Sequence, residues 1–169
     1  MLPESLMAAR ALLEIPTPLQ TDCGMVCGGA CCHTHPGEET GMLLFPGEEE
    51  AYRGVAGFTL RPSPRGTILV CSGHCDRANR PLACRMFPLL MLLREDGVKV
   101  ATDAAALSVC PLARQGKSAL SQDFVAAVRQ AAAILAQDSE QAAHLKRLTD
   151  MQDEWKALQA RYRGRNEHV

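Results

Sequence analysis

Eight cysteines sit in this chain of 169 residues, and four of them fall within the single run Cys23-Gly-Met-Val-Cys27-Gly-Gly-Ala-Cys31-Cys32. No other feature restricts the fold so tightly. Clustered thiolates repel one another and are costly to bury without a cation, so this density implies either disulfides or soft-metal ligation. A chain this long can bury a core without covalent staples. The N-terminal stretch MLPESLMAARALLEIP carries Glu4 early, lacks a basic segment ahead of a continuous apolar run, and shows no small-residue cleavage pattern. The longest apolar run, Phe87–Leu93, includes a proline and falls well short of the roughly 20 residues that span a bilayer. A soluble, cytoplasmic chain with reduced thiols and no membrane partner is therefore expected.

The remaining cysteines form C-x3-C-x8-C at Cys71, Cys75 and Cys84, and Cys110 stands alone before Pro111. Structural zinc favours four cysteines, or cysteines with histidine, on tight knuckles. Here the first loop is glycine-rich, so many backbone N–H groups are available to sulfur, and a Cys-Pro step also occurs in ferredoxin runs. A 4Fe–4S cluster is thus favoured, with zinc as the alternative. Neighbouring side chains diverge, so Cys31 and Cys32 suit different ions, or one is a ligand and the other a reactive thiol. Some of the eight could instead be small buried hydrophobes. His33, His35 and His74 are reserve ligands.

Net charge is −1, with 47% hydrophobic and 22% charged residues, which excludes a disordered polymer and leaves no global attraction to nucleic acid or membrane. The local balance differs. Arginines 53, 61, 65, 77, 80, 85 and 94 face a single acid, Asp76, in that stretch. Of these, Arg80 and Arg85 flank Cys84 and are expected to neutralise and donate to a thiolate site. The others read as a solvated face, and a nucleic-acid partner is disfavoured.

The expected fold class is α+β. Ser5–Glu14 reads as a helix ended by Pro16 and Pro18. Residues 23–32 read as loop, Met42–Phe45 and Thr67–Cys71 as strands, and Glu48–Glu50 as acids opening a helix. Asp96-Gly97 marks a hairpin turn. From Ser118, Leu120, Phe124, Val128, Ala131 and Leu135 recur at helical spacing, with Ser121 and Asp123 as a capping start. A second stripe, Leu145, Leu148, Met151, Trp155, Leu158 and Tyr162, reads as core or inter-helix packing with a heptad-like seam. The tail arginines 161, 163 and 165 suit a helix end. Residues 1–117 form a loop-rich cysteine-cluster domain with its core at 20–115, and residues 118–165 form a helical hairpin packed on it.

The run Cys23–Cys32, followed by Cys75, Arg80-Pro81 and Cys84-Arg85-Met86-Phe87-Pro88, resembles the zinc- or iron-chelating cysteine-cluster proteins of the CxxCxxCC, or YkgJ-type, family. Cys71 and Cys110-Pro111 look like that family's flanking cysteines, and the stretch from Met42 to Ala51 resembles the segment between its clusters. One departure is the spacing of three between the first cysteines, where the family name implies two. The resemblance covers roughly residues 20–115 and implies metal chelation.

The leading expectation is a metal-binding protein holding an iron–sulfur cluster, for electron transfer, metal handling or support of a protein partner. The rivals are a structural zinc module that binds protein or nucleic acid, and a thiol- or cluster-dependent modifying enzyme with Cys32 as its reactive thiol. No Ser/His/Asp constellation, phosphate loop or dinucleotide fingerprint supports a conventional active site.

Overall fold

A computed structural model describes residues 1–32, 41–73 and 76–166, with side chains through Tyr162. The fold is α+β, with two antiparallel sheets and helices packed mainly on the smaller one.

The main core forms around a hairpin, β4 (Leu89–Arg94) and β5 (Gly97–Thr102). Leu89, Leu90, Met91 and Leu92 are consecutive and all buried, which requires cover on both faces of the strand. Helix α5 (Gln122–Leu135) packs on both strands and on α1 (Glu4–Leu12). Its Phe124, Val128, Ala131 and Leu135 are fully buried, as are Leu6, Ala9 and Leu13 at α1. The α5 stripe is thus where its spacing put it. Ser121 does occupy the cap position, but its side chain makes no cap hydrogen bond.

Helix α6 (Ser139–Asn166) lies along β4. The Leu93 amide donates to Thr149 Oγ1 at 2.9 Å, so the helix covers the strand edge that β5 leaves open. Gln152 extends the seal, accepting from the Ala104 amide at 3.0 Å and donating to the Thr102 carbonyl at 2.8 Å. The two C-terminal helices therefore make their main contacts with the hairpin and α1. Leu145 and Leu148 are buried, whereas Trp155, Leu158 and Tyr162 are 46%, 44% and 62% exposed, so the outer half of the expected core stripe lies outside the core.

The second sheet has the order β1-β3-β2, from β1 (Gly41–Leu43), β2 (Phe58–Ser63) and β3 (Gly66–Cys71). The sequence reading does not place β2; its Pro62 is accommodated because β2 is an edge, where a missing amide is tolerated. The first strand is Gly41–Leu43 rather than Met42–Phe45. A side chain at Gly41 would put its Cβ 2.4 Å from Ile68 Cγ2, so only glycine allows this pairing. Leu44, Tyr52 and Leu69 form a small core of their own here.

Three further expectations are corrected. Residues 23–32 are not simple loop: helix α2 (Cys23–Cys27) and a 3₁₀ turn, Ala30–Cys32, occupy most of them. Glu48–Ala51 is a 3₁₀ turn rather than an α-helix, with the three glutamates in its first turn as expected, and Glu48 is completely buried. In the hairpin, Arg94 pairs with Gly97, so the turn residues are Glu95 and Asp96, one position earlier than Asp96-Gly97. Gly97, at φ 108°, opens the return strand, and Asp96 pairs with Lys99 at 2.7 Å. Among the described residues no helix is long and apolar enough to cross a membrane.

Candidate metal centre

Four separate chain segments bring thiols toward one place. The first is α2 with its 3₁₀ turn. Asp22 starts α2 by accepting from the Gly24 amide at 3.1 Å, and Gly28, left-handed at φ 63°, ends it. The Cys27 thiol returns to the Cys23 carbonyl at 3.5 Å, and the Cys31 and Cys32 sulfurs are 4.0 Å apart. The second segment is β3, whose last residue is Cys71. The third is α3 (Leu82–Met86), which carries Cys84 and is anchored by buried Leu82, Ala83 and Met86. The fourth is the start of α4 (Pro111–Gln115), where Cys110 is buried beside Ala106 and Ala113.

Cys31, Cys32, Cys71 and Cys84 line one pocket of about 70 Å³, together with Arg80. Cys23 lies within electrostatic reach of Cys27, Cys31, Cys110 and Arg80, which ties the N-terminal turn to the last cysteine of the chain. Burial pushes the Cys23 thiol up, as do Cys27 and Asp22, while Arg80 opposes them. Cys31 is held far above the ordinary thiol range by its hydrogen bond with Cys32, then by burial and by the neighbouring sulfurs of Cys32, Cys23 and Cys84. Cys23 and Cys31 are thereby biased toward their protonated form until a cation replaces the proton.

No disulfide joins any of the seven described cysteines. Cys75, His33, His35 and His74 lie outside the described residues. Among those described, no group of three or more His, Cys, Asp or Glu side chains is close enough together to hold a single ion.

The two expected arginines serve differently. Arg80 lines the thiol pocket. Arg85, only 4% exposed, donates to the carbonyls of Arg80 (3.0 Å), Ala78 (2.8 Å) and Arg10 (3.2 Å), and reaches Glu14 at 3.3 Å. The Tyr52 hydroxyl takes the intervening Asn79 carbonyl at 3.0 Å. Three successive carbonyls ahead of Cys84 are thus held by buried side chains. Arg77 adds bonds to the carbonyls of Glu14, Leu13 and Pro16 at the end of α1. Of the outlying arginines, Arg53 pairs with Glu50 at 2.8 Å and Arg94 with Asp153 at 2.6 Å.

Beneath this loop lies Glu48, which the sequence reading missed. It accepts from the Leu82 amide at 2.7 Å and the Phe45 amide at 3.3 Å, and pairs with Arg10. Burial pushes its carboxyl up, opposed by these donors and by Arg10. Three consecutive glutamates look like a solvated run, and only the apolar Phe45 and Tyr52 on either side hint that one of them points inward. No family model, curated protein or solved structure matches this chain.

Proposed function

We propose that this is a cysteine-cluster metal protein that works with reduced thiols in the cytoplasm and holds an iron–sulfur cluster. The observation that carries the reading is the convergence of Cys31, Cys32, Cys71 and Cys84 on one pocket with Arg80, from three segments far apart in sequence. Thiols at this density are costly unless a cation compensates them. A single zinc draws four ligands to about 2.3 Å from one atom. The four thiols share the lining of a cavity of about 70 Å³ with Met42, Leu69 and Phe87, and the glycine-rich run between Cys23 and Cys32 suits hydrogen bonding to sulfur, which favours a cluster over a lone ion.

Cys23, Cys27, Cys31, Cys32, Cys71, Cys75, Cys84 and Cys110 are the candidate ligands, and Arg80 is placed to offset their negative charge. A cluster bound there would supply one-electron chemistry tuned by hydrogen bonds to sulfur. The resemblance of Cys23–Cys32 and Cys84-Arg85-Met86-Phe87 to the CxxCxxCC family supports the same reading. Electron transfer, metal handling and support of a protein partner are the roles such a site serves.

Anaerobic purification followed by elemental analysis and absorption spectroscopy tests it. Iron with absorbance near 400 nm is expected, from sulfur-to-iron charge transfer. Colourless protein carrying zinc would replace the cluster with the structural zinc reading. A metal-free, folded protein with every thiol alkylatable would end the metal reading altogether.

A further inference from the structure

Helix α6 has 28 residues, about 42 Å at 1.5 Å per residue, and only its first half is used by the core. Thr149, Gln152 and Asp153 tie it to the hairpin region. Beyond them the apolar positions continue. Leu148, Met151, Trp155, Leu158 and Tyr162 are separated by three, four, three and four residues, the seam of a coiled coil. Trp155 and Leu158 are 46% and 44% exposed. Leu148, Met151, Trp155 and Leu158 of this seam also border a groove of about 490 Å³.

The charges flanking the seam select the occupant. Glu154 and Arg161 are exposed and one heptad apart, each immediately before a seam residue. In a parallel pair of α6 helices, Glu154 would face the uncharged Gln159. In an antiparallel pair centred between Trp155 and Leu158, Glu154 of each copy faces Arg161 of the other, twice by symmetry. We propose that the outer half of α6 is a self-association surface, and that its occupant is the antiparallel α6 of a second copy of this chain. The inference is independent of what the thiols bind.

Light scattering and sedimentation across a concentration series, in reductant to exclude disulfide-linked species, test it. The mass should rise from 18.3 kDa toward twice that value with concentration. Emission from Trp155, the only tryptophan, should shift to the blue in parallel. Glu154→Arg or Arg161→Glu alone should weaken association roughly tenfold by turning two attractions into repulsions, and the double exchange should restore it. Leu158→Glu should abolish the dimer while leaving far-UV circular dichroism and thermal unfolding unchanged, because Leu158 lies outside the core. Mass fixed at 18.3 kDa throughout, a dimer indifferent to Leu158→Glu, or a double exchange no better than the single ones would each overturn the proposal.

Discussion

Two segments bring most of the thiols to the candidate centre, and they are built on opposite principles. The segment from Asp22 to Cys32 stands on local bonds: an aspartate cap, a left-handed glycine and short helical turns, with none of its residues buried. The segment from Arg77 to Met86 is held by long-range bonds to α1, to Tyr52 and to the buried Glu48. Local bonds exposed to water open at low cost, whereas a buried charge network opens only with the core. If the proposed cluster binds there, the difference predicts a division of labour, in which one half of the centre is preformed and the other is completed on binding.

The sharpest way to break this contrast is to remove Glu48. Glu48→Ala leaves Arg10 without its partner and strands the Leu82 and Phe45 amides, so it should cost about 3–5 kcal/mol in denaturant unfolding. A loss under about 1 kcal/mol would mean that the second segment is no better anchored than the first.

Acid probes the same core from another side. His144 is buried against Phe45, their ring centroids 4.8 Å apart, and burial followed by the charge of Arg147 lowers its pKa from 6.5 to about 4. A depressed histidine pKa means that the unfolded chain takes up the proton first. Its contribution is whole above pH 6.5 and is lost as pH falls toward about 4, amounting to about 3 kcal/mol. His144→Phe should flatten the unfolding profile across that window; an unchanged slope would remove His144 as its source.

Arg85→Lys comes next, at about 2 kcal/mol, because an ammonium cannot span the carbonyls that the guanidinium fork reaches. The smallest effect on stability belongs to Asp22→Ala. Losing that cap should cost at most about 1 kcal/mol, yet on the cluster reading it should lower the iron recovered with anaerobically purified protein. Chelation followed by hydrogen exchange completes the comparison: amides of 23–32 should lose protection while those of 82–86 keep theirs. Equal loss in both segments would dissolve the distinction.

Periodicity made α1, α5, β3 and the hairpin legible, since each carries a buried stripe or a β-branched run that only one element can use. It overreached on α6, where Leu148 and Trp155 share one pattern but only the first meets the core: a stripe records which face is apolar, not how far the body beneath it extends. Strand β2 was not legible, because a sequence does not say which strand will be an edge and so tolerate Pro62. In the candidate centre the cysteines were legible as chemistry, and Arg80 as their neighbour. The supporting network was not, since Glu48 and Tyr52 reach partners tens of residues away and their burial exists only once those partners are assembled.

The packing of α1 on α5 has a consequence in time. Leu6, Ala9 and Leu13 are made first, but the surface that buries them includes Phe124 and Val128. Every cysteine precedes Gln122, where α5 begins. A nascent chain therefore presents all eight of its thiols before its core can close. Until that core closes, only a reducing environment would prevent disulfides between these sulfurs.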